Sequence, residues 1–299
     1  MIEPAGGEGR FGGHSMYGRL RRVLVRPPDE SFAEADPEAW HYTRRPDLAR
    51  ARDQHAHLVG LLERAGVEVI VHDATLSGMA DSVFVYDPVW ITDGGTVVLA
   101  SGKPSRRGEE EPLACRLEAA GVPILGRLEG RERAEGGDLL WLDPSTVIAG
   151  RSFRTNDAGI AALGRILEPL GVRVLAVDLP YLDGPRACLH LLTLLSLVDH
   201  RCAVVYPRFL PVRLWQLLEE RGFDLVEVPE EELPTQGPNV LALAPGHCVA
   251  IEGNPITRRR LEAAGCRVET YPASDISLVA EGGPTCLTRP VLRDPVPEL

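Results

Sequence analysis

The sequence lacks any hydrophobic run long enough to cross a membrane. Its longest apolar stretch, Ala187 to Val198, covers about twelve residues and includes His190, whereas a membrane-spanning helix needs about twenty. Basic residues are also in deficit, because 32 Lys and Arg face 43 Asp and Glu and leave a formal net charge of −11. Nucleic acids and anionic membranes attract basic surfaces, so this balance argues against both as partners.

Motifs for metals and cofactors are missing as well. The six cysteines include no C-x-x-C pair, and the histidines show no metal-ligand spacing, so we predict no metal. The formal G-x-G-x-x-G at Gly7–Gly12 lacks the preceding strand and following helix that a dinucleotide site needs, and no cofactor is predicted. Without a signal peptide, the cysteines are expected to be free thiols in a reducing compartment and the protein cytoplasmic.

The length of 299 residues is enough to bury a sizeable core without disulfides. Residues 1–15 are rich in glycine and contain no apolar stretch, so we expect a flexible N-terminal extension there. Residues 16–299 are expected to form a single catalytic domain.

The most informative feature that is present is an internal repeat. Five segments end a helix with Leu-Glu, turn at a glycine suited to the left-handed C-cap position and continue as alternating apolar residues typical of a strand. The capping glycines are Gly66, Gly121, Gly171, Gly222 and Gly265. Hairpin signals such as Asp93-Gly94-Gly95 place two further strands before the next helix. The predicted unit is strand, strand, helix, strand.

Five such units cannot bury their sheets separately. We therefore predict a five-bladed α/β propeller, in which pseudo-fivefold ββαβ repeats surround a central active-site channel. Tyr17 to Pro27 would pair with the last strand of the chain and close the ring, and Asp47 and Asn254 occupy N-cap positions of two of the helices. A two-domain, doubly wound α/β enzyme is the alternative fold.

Chemically active residue types recur at one phase of this repeat. Shortly after the strand that follows each helix, the sequence places two carboxylates, an imidazole, an amide and a thiol, namely Asp81, Glu135, His190, Asn239 and Cys286. Equivalent positions of a closed ring converge on its axis, and this set is what a nucleophilic active site requires. Taken singly, Cys286 suits a buried structural thiol and His190 a hydrogen-bonded core residue. Their joint recurrence favours catalysis.

With these residues in view, the sequence resembles the guanidino-group-modifying enzymes, most closely the dimethylarginine dimethylaminohydrolases. The resemblance extends from about Arg19 to Thr288 and is carried by six motifs: DSVFVYD at Asp81, SRRGE at Ser105, EGGD at Glu135, GRSFRTN at Gly150, LHL at Leu189 and GGPTCLT at Gly282. That family has a five-bladed α/β propeller, which agrees with the five repeats. Arginine deiminases share the chemistry but usually carry an added helical domain.

The resemblance implies three catalytic roles. Cys286 would be the nucleophile, His190 the general acid and base, and Glu135 the carboxylate that grips the guanidinium nitrogens. The implied reaction cleaves arginine or Nω-methylated arginine through a covalent thiouronium and gives citrulline and an amine. The acidic net charge suits such a small cationic substrate.

The resemblance also implies a substrate-binding set. Asp87 would hold the guanidinium from another side, Asp81 would take the substrate α-amino group, and Arg106 and Arg154 would bind its α-carboxylate. Phe84, in the first motif, is a further substrate-binding candidate. A homodimer is a candidate assembly.

The first motif departs from the family at one position. Many relatives have a second acid where this chain has Tyr86, near the nitrogen substituents of the substrate. The departure leaves both methylated and unmodified arginine as candidate substrates, so an arginine deiminase stays open beside an amidinotransferase on a related guanidino substrate. From another class, a non-catalytic propeller could serve as a binding factor, although such a protein would not need the cysteine, histidine and glutamate together.

Overall fold

Five three-stranded sheets make up the computed structural model, which describes residues 9–186 and 188–298. The first blade contains β1 (Leu20–Val25), α1 (Glu30–Ala33), α2 (Pro37–Trp40), α3 (Leu48–Arg64) and β2 (Glu68–Val71). The second contains β3 (Val89–Thr92), β4 (Gly95–Val98), α4 (Glu110–Ala119) and β5 (Ile124–Arg127), and the third β6 (Leu139–Asp143), β7 (Thr146–Arg151), α5 (Asp157–Leu167) and β8 (Arg173–Asp178). The fourth contains β9 (Leu195–Asp199), β10 (Cys202–Val205), α6 (Val212–Glu220) and β11 (Asp224–Glu227). The fifth contains β12 (Leu241–Ala244), β13 (His247–Ile251), α7 (Pro255–Ala263) and β14 (Arg267–Tyr271), and β15 (Thr288–Arg293) returns to the first blade.

Every sheet has the same topology. The strand that precedes the blade helix lies in the centre, antiparallel to one neighbour and parallel to the strand that follows the helix, as in the order β3-β4-β5. This is the predicted strand, strand, helix, strand unit. The five-bladed α/β propeller is therefore confirmed, and the doubly wound alternative is wrong.

The glycine that ends each blade helix has the predicted left-handed backbone. All five have φ between 70° and 91°, a region that costs other residues energy: Gly66, Gly121, Gly171, Gly222 and Gly265. Each glycine turns the chain from the helix into the parallel strand, so one local signal repeated five times encodes the blade.

The two ends of the described chain close the ring. The last strand, β15, pairs antiparallel with β1, and β1 pairs parallel with β2. The predicted pairing of residues 17–27 with the final strand is confirmed. The segment that carries Cys286 precedes β15 directly, so closure of the ring also fixes that segment.

The two predicted N-caps behave differently. Asp47 caps α3 by accepting a hydrogen bond from the Arg50 amide at 3.0 Å. Asn254 precedes α7, but its side chain donates to carbonyls of Thr235 and Ile251 and makes no cap. Glu232 instead accepts the first amides of that helix, because its buried carboxylate satisfies two of them from a neighbouring loop.

The prediction of a flexible extension over residues 1–15 is wrong for residues 9–15. Residues 1–8 lie outside the described residues, but Gly12 bridges to Leu292 and the His14 ring stacks on Trp141 with 4.0 Å between centroids. Gly13 has φ of 90°, and a Cβ there would lie 2.3 Å from the Arg293 carbonyl oxygen. Glycine thus allows close packing against β15, where the composition suggested disorder.

The strands supply more of the buried apolar side chains than the α-helices do, including Trp90, Leu139 and Leu140. Among residues 9–186 and 188–298, no helix combines the length and the hydropathy needed to span a bilayer.

Candidate active site

Segments between the blades enclose a cavity of about 280 Å³. Seven of the predicted site residues line it: Asp81, Phe84, Asp87, Arg106, Arg154, His190 and Cys286. The eighth, Glu135, has no exposed surface and contacts His190. The predicted convergence of residues from separate repeats is confirmed for these positions.

His190 and Glu135 form the central pair. Glu135 ends the segment before β6, His190 precedes β9, and their Oε2 and Nε2 atoms are 2.7 Å apart. The Nδ1 side of the imidazole lies against Gly137, where an added Cβ would be 2.6 Å from Nδ1. The hydrogen bond and this close approach hold the ring in one orientation.

The Glu135 carboxylate is fully engaged by the protein. Besides His190, its Oε2 accepts from Arg154 at 3.3 Å, and Oε1 accepts from the Ser101 hydroxyl and the Lys103 amide. The resemblance implied that Glu135 grips the guanidinium. The structure instead leaves it no exposed oxygen, so its direct action is to orient His190.

Protonation of the pair follows from its charges. Burial alone would lower the pKa of His190, but the charge of Asp87, the hydrogen bond to Glu135 and the charge of Asp138 outweigh it and raise that pKa to about 9. Burial would raise the pKa of Glu135, but His190, Arg154 and Arg106 hold it well below its usual range. At neutral pH the pair is therefore an imidazolium bound to a carboxylate.

Cys286 lies in the loop between β14 and β15. Asn239 Nδ2 donates to its Sγ at 3.3 Å, while Asn239 Oδ1 accepts from the Thr285 amide at 3.1 Å. The Cys286 carbonyl accepts from the Tyr86 amide at 3.2 Å. Sequence analysis placed Asn239 in the convergent set without a role, and the structure gives it that of positioning the thiol.

At neutral pH the Cys286 thiol is protonated. Burial and the negative charge of Asp87 raise its pKa to about 12, although the hydrogen bond from Asn239 and the charge of Arg106 act in the opposite direction. A cation bound beside the sulfur would stabilise the thiolate. The site is therefore arranged to gain a nucleophile when a positive group enters it.

Asp87 is the carboxylate that faces the cavity near His190. Its Oδ1 accepts from the Gly137 amide at 2.8 Å and its Oδ2 accepts from Arg106 Nη1. Asp87, Glu135 and His190 bring three polar atoms within 4.8 Å of one another. Such a cluster can hold a metal in principle, but here the oxygens accept from arginines and His190 carries a proton. The geometry favours a hydrogen-bond network, and the absence of a metal stays a prediction.

Arg106 differs from its expected role. It is 3% exposed, and its guanidinium donates to Asp87, to Glu109 and to the Phe84 carbonyl. Burial raises the pKa of Glu109 to about 7 in spite of this arginine. Most of the donors expected to bind a substrate carboxylate are thus used inside the protein, and Arg106 mainly fixes Asp87. Arg154, also at the cavity wall, retains donors for a ligand.

Lys103 was missed by sequence analysis. Its ammonium lies 2.6 Å from Asp81 Oδ2, 3.3 Å from the Trp40 carbonyl oxygen and 5.0 Å from the centre of the Trp40 ring. The Tyr42 hydroxyl donates to Asp81 Oδ1 at 2.9 Å. Nothing in the sequence marks this contact, because the partners come from segments brought together only by the ring.

The two aromatic residues of the first motif point to different places. Phe84 lines the cavity and packs on Gly282, close to Cys286. Tyr86 is 2% exposed, and the Arg289 guanidinium lies 3.6 Å from the centre of its ring. Tyr86 therefore belongs to the packed interior behind the site.

One family model and several known enzymes are similar to this chain in sequence. The model of the family described as N,N dimethylarginine dimethylhydrolase, eukaryotic, matches residues 36–293. An arginine deiminase of Mycobacterium marinum is 36% identical over 276 residues, which cover 78% of this chain and 67% of the deiminase. The N(G),N(G)-dimethylarginine dimethylaminohydrolase of Pseudomonas aeruginosa is 26% identical over 269 residues, which cover 90% of this chain and 98% of that enzyme.

Solved structures share the fold. A cysteine-to-serine variant of the Pseudomonas aeruginosa enzyme, complexed with citrulline, superposes with a TM-score of 0.76 at 25% identity, covering 90% of this chain and 98% of the other. An amidinotransferase from Microseira wollei gives a TM-score of 0.79 at 17% identity, with 95% and 98% covered. The second likeness concerns the fold alone.

Proposed function

Because the chain belongs to the N,N dimethylarginine dimethylhydrolase family, we propose that it is a cysteine hydrolase that cleaves the guanidinium group of arginine or Nω-methylated arginine. The motif resemblance to this family is confirmed. One observation carries the proposal: Cys286 and His190 line one cavity with Asp87, and Glu135 holds His190 from behind.

Substrate binding activates the nucleophile in this proposal. A guanidinium is a planar, resonance-stabilised cation, and Asp87 offers a buried carboxylate to its N–H groups. Its positive charge next to Cys286 lowers the pKa of the thiol, and the proton leaves to solvent. The thiolate then forms a C–S bond with the guanidinium carbon.

His190 handles both later proton transfers. With a pKa near 9 it begins as an imidazolium and protonates the departing nitrogen as the C–N bond breaks, which leaves a cationic thiouronium on Cys286. The neutral imidazole then takes a proton from water, whose oxygen bonds to the same carbon. The hydroxyl proton passes to the sulfur as the C–S bond breaks, which restores the Cys286 thiol and releases the ureido product.

The first test is a substrate panel. Purified protein is incubated with arginine, monomethyl- and dimethylarginine, agmatine, guanidinoacetate and δ-guanidinovalerate, and ureido product and released amine are both measured. We expect ureido product from at least one compound and none from Cys286→Ala protein. Ureido product from Cys286→Ala at the same rate, or none from any compound, would refute the hydrolase.

A second measurement tests the intermediate. His190→Ala protein mixed with an S-alkylthiocitrulline should accumulate an adduct on Cys286, because the departing thiolate needs no proton from His190 whereas hydrolysis of the thiouronium lacks its base. Mass spectrometry of peptides locates it. An adduct on another cysteine would move the nucleophile.

Deimination of unmodified arginine is a second candidate. Tyr86 packs against Arg289 and offers no carboxylate near the guanidinium substituents, and the Mycobacterium marinum relative is named an arginine deiminase. Release of ammonia from arginine, with little amine from dimethylarginine, would favour it. Transfer to an added amine, in place of hydrolysis, would indicate the amidinotransferase reaction.

A further inference from the structure

Lys103 is the only lysine in the chain, in which arginine fills the other basic positions among the 32 Lys and Arg residues. Its side chain is 13% exposed and lines the same cavity as His190 and Cys286. A lysine differs from arginine in presenting a compact ammonium group, as the α-amino group of an amino acid does. The chain therefore places an ammonium inside the candidate active site.

The Lys103 ammonium contacts Asp81, the residue expected to bind the α-ammonium group of a substrate. Lys103 Nζ is 2.6 Å from Asp81 Oδ2, and the Tyr42 hydroxyl is 2.9 Å from Oδ1, so both oxygens of Asp81 have partners within the protein. The Asp81 side chain is 8% exposed. Asp81 was expected to take the α-amino group of the substrate, but its charge is already balanced.

Arg154, a second cation in the cavity wall, favours binding of a substrate carboxylate. Arg154 lines the cavity with a side chain 13% exposed, and only its contact with Glu135 at 3.3 Å engages a carboxylate. A substrate α-ammonium would enter next to Lys103 and Arg154, with Asp81 neutralised, and meet like charge. A substrate carboxylate would meet two cations.

We propose that Lys103 occupies the substrate-ammonium position on Asp81, so that the preferred substrate is an ω-guanidino carboxylate that has no α-amino group. The inference rests on the proposed hydrolase chemistry and changes its preferred substrate from arginine to an analogue without the α-amino group. Arginine fits the reacting end of the cavity equally well, but its α-ammonium must displace Lys103 from Asp81. Asp183 and Glu281 also line the cavity, yet they are exposed and offer an ammonium a weaker, solvent-screened partner.

The test compares two compounds that differ only in that amino group, arginine and des-aminoarginine (δ-guanidinovalerate). Wild-type protein should turn over des-aminoarginine with a kcat/KM about tenfold or more above that for arginine, the ratio that one lost charge-assisted hydrogen bond produces. In Lys103→Met protein, Asp81 regains an open carboxylate, and the ratio should shift towards arginine by about tenfold or more. Lys103→Arg should keep the wild-type direction.

Arg201→Met is the matched control, because it removes one positive charge at an exposed turn between β9 and β10. It should leave the ratio unchanged. A wild-type preference for arginine, or a ratio that Lys103→Met leaves unaltered, would overturn the inference while leaving the hydrolase intact.

A binding measurement separates the inference from the proposed reaction. Calorimetry with Cys286→Ser protein gives the Kd of each compound without turnover. Tighter binding of des-aminoarginine supports the inference even if no panel member reacts, in which case the proposed hydrolase alone fails. Tighter binding of arginine overturns the inference.

Discussion

The inner end of the active-site cavity and its rim are built by different means. The inner end comprises Glu135, His190, Asn239 and Cys286, each joined by hydrogen bonds to another blade or loop. The rim comprises exposed residues of two loops, and Leu182 and Glu281 there have φ of 46° and 59°. The inner end fixes the chemistry through contacts between blades, whereas the exposed loops of the rim affect only how closely the substrate fits.

The largest effect should come from removing the sulfur nucleophile. Cys286→Ser should lower kcat by about 10⁴-fold or more, because an alcohol in this site lacks the thiolate that a bound cation can stabilise. Cys188→Ser is the matched control, since Cys188 lines the same cavity, and it should retain activity within about tenfold. Steady-state kinetics on both variants, with circular dichroism to check folding, decides. Equal losses would mean that the sulfur of Cys286 has no special role.

The next effect concerns the orienting carboxylate. Glu135→Gln should lower kcat by about 10²–10³-fold, because the imidazolium loses its fixed partner. The same change should lower the pKa of His190 from about 9 towards the ordinary value of 6.5, leaving Asp87 and Asp138 to hold part of the shift. NMR titration of the His190 ring measures it. A pKa that stays near 9 would show that Asp87 and Asp138 maintain the imidazolium without Glu135.

This pair also links folding to pH. A histidine whose pKa is raised by folding contributes stability that is fully present below its unfolded value near 6.5 and is lost as pH rises through about 9. The free energy of unfolding of the wild type should therefore fall between pH 6.5 and 9 more steeply than that of Glu135→Gln. Urea unfolding at several pH values tests it, and parallel slopes for the two proteins would contradict it.

A smaller loss of kcat should follow from a substitution that displaces the His190 imidazole but leaves its chemical groups unchanged. In Gly137→Ala the new methyl group would lie 2.6 Å from His190 Nδ1 and 2.9 Å from Asp87 Oδ1, so the ring must move. We expect kcat to fall by about 10²-fold at most, as for misplacement by about 1 Å. Gly164→Ala, in α5 with no atom within 4 Å of the new Cβ, should keep full activity and raise stability by about 0.5–1 kcal/mol. Equal activity of the two variants would contradict the close approach.

The smallest effect is expected at the rim. Leu182→Gly removes a side chain that is 37% exposed and relieves a left-handed backbone. KM should change by less than about tenfold and kcat by less than about twofold, because substrate fit changes and the reacting groups do not. A kcat loss comparable to that of Gly137→Ala would show that the rim also positions the inner end.

The sequence predicts the repeated blades and the residues placed by the repeat, but not the contacts between loops. The Gly66 turn and its four equivalents are local signals, so the blades and the ring were predictable. Glu135, His190 and Cys286 were found because each occupies the same phase of a repeat. The contact of Lys103 with Asp81 and that of Arg106 with Asp87 depend on how loops of different segments meet. The repeat pattern of the sequence does not encode these contacts between loops. The side-chain roles inferred from the family resemblance were therefore least accurate at these residues.

Closure of the ring by β15 and β1 also sets an order in time. Cys286 is synthesised after every other residue of the site, and the strand that follows it finds its partner in a segment made long before. A nascent chain that has emerged only as far as α7 carries His190 and Glu135 but not Cys286. The final strand must therefore leave the ribosome and pair with β1 before the segment that carries Cys286 can take its place in the candidate site.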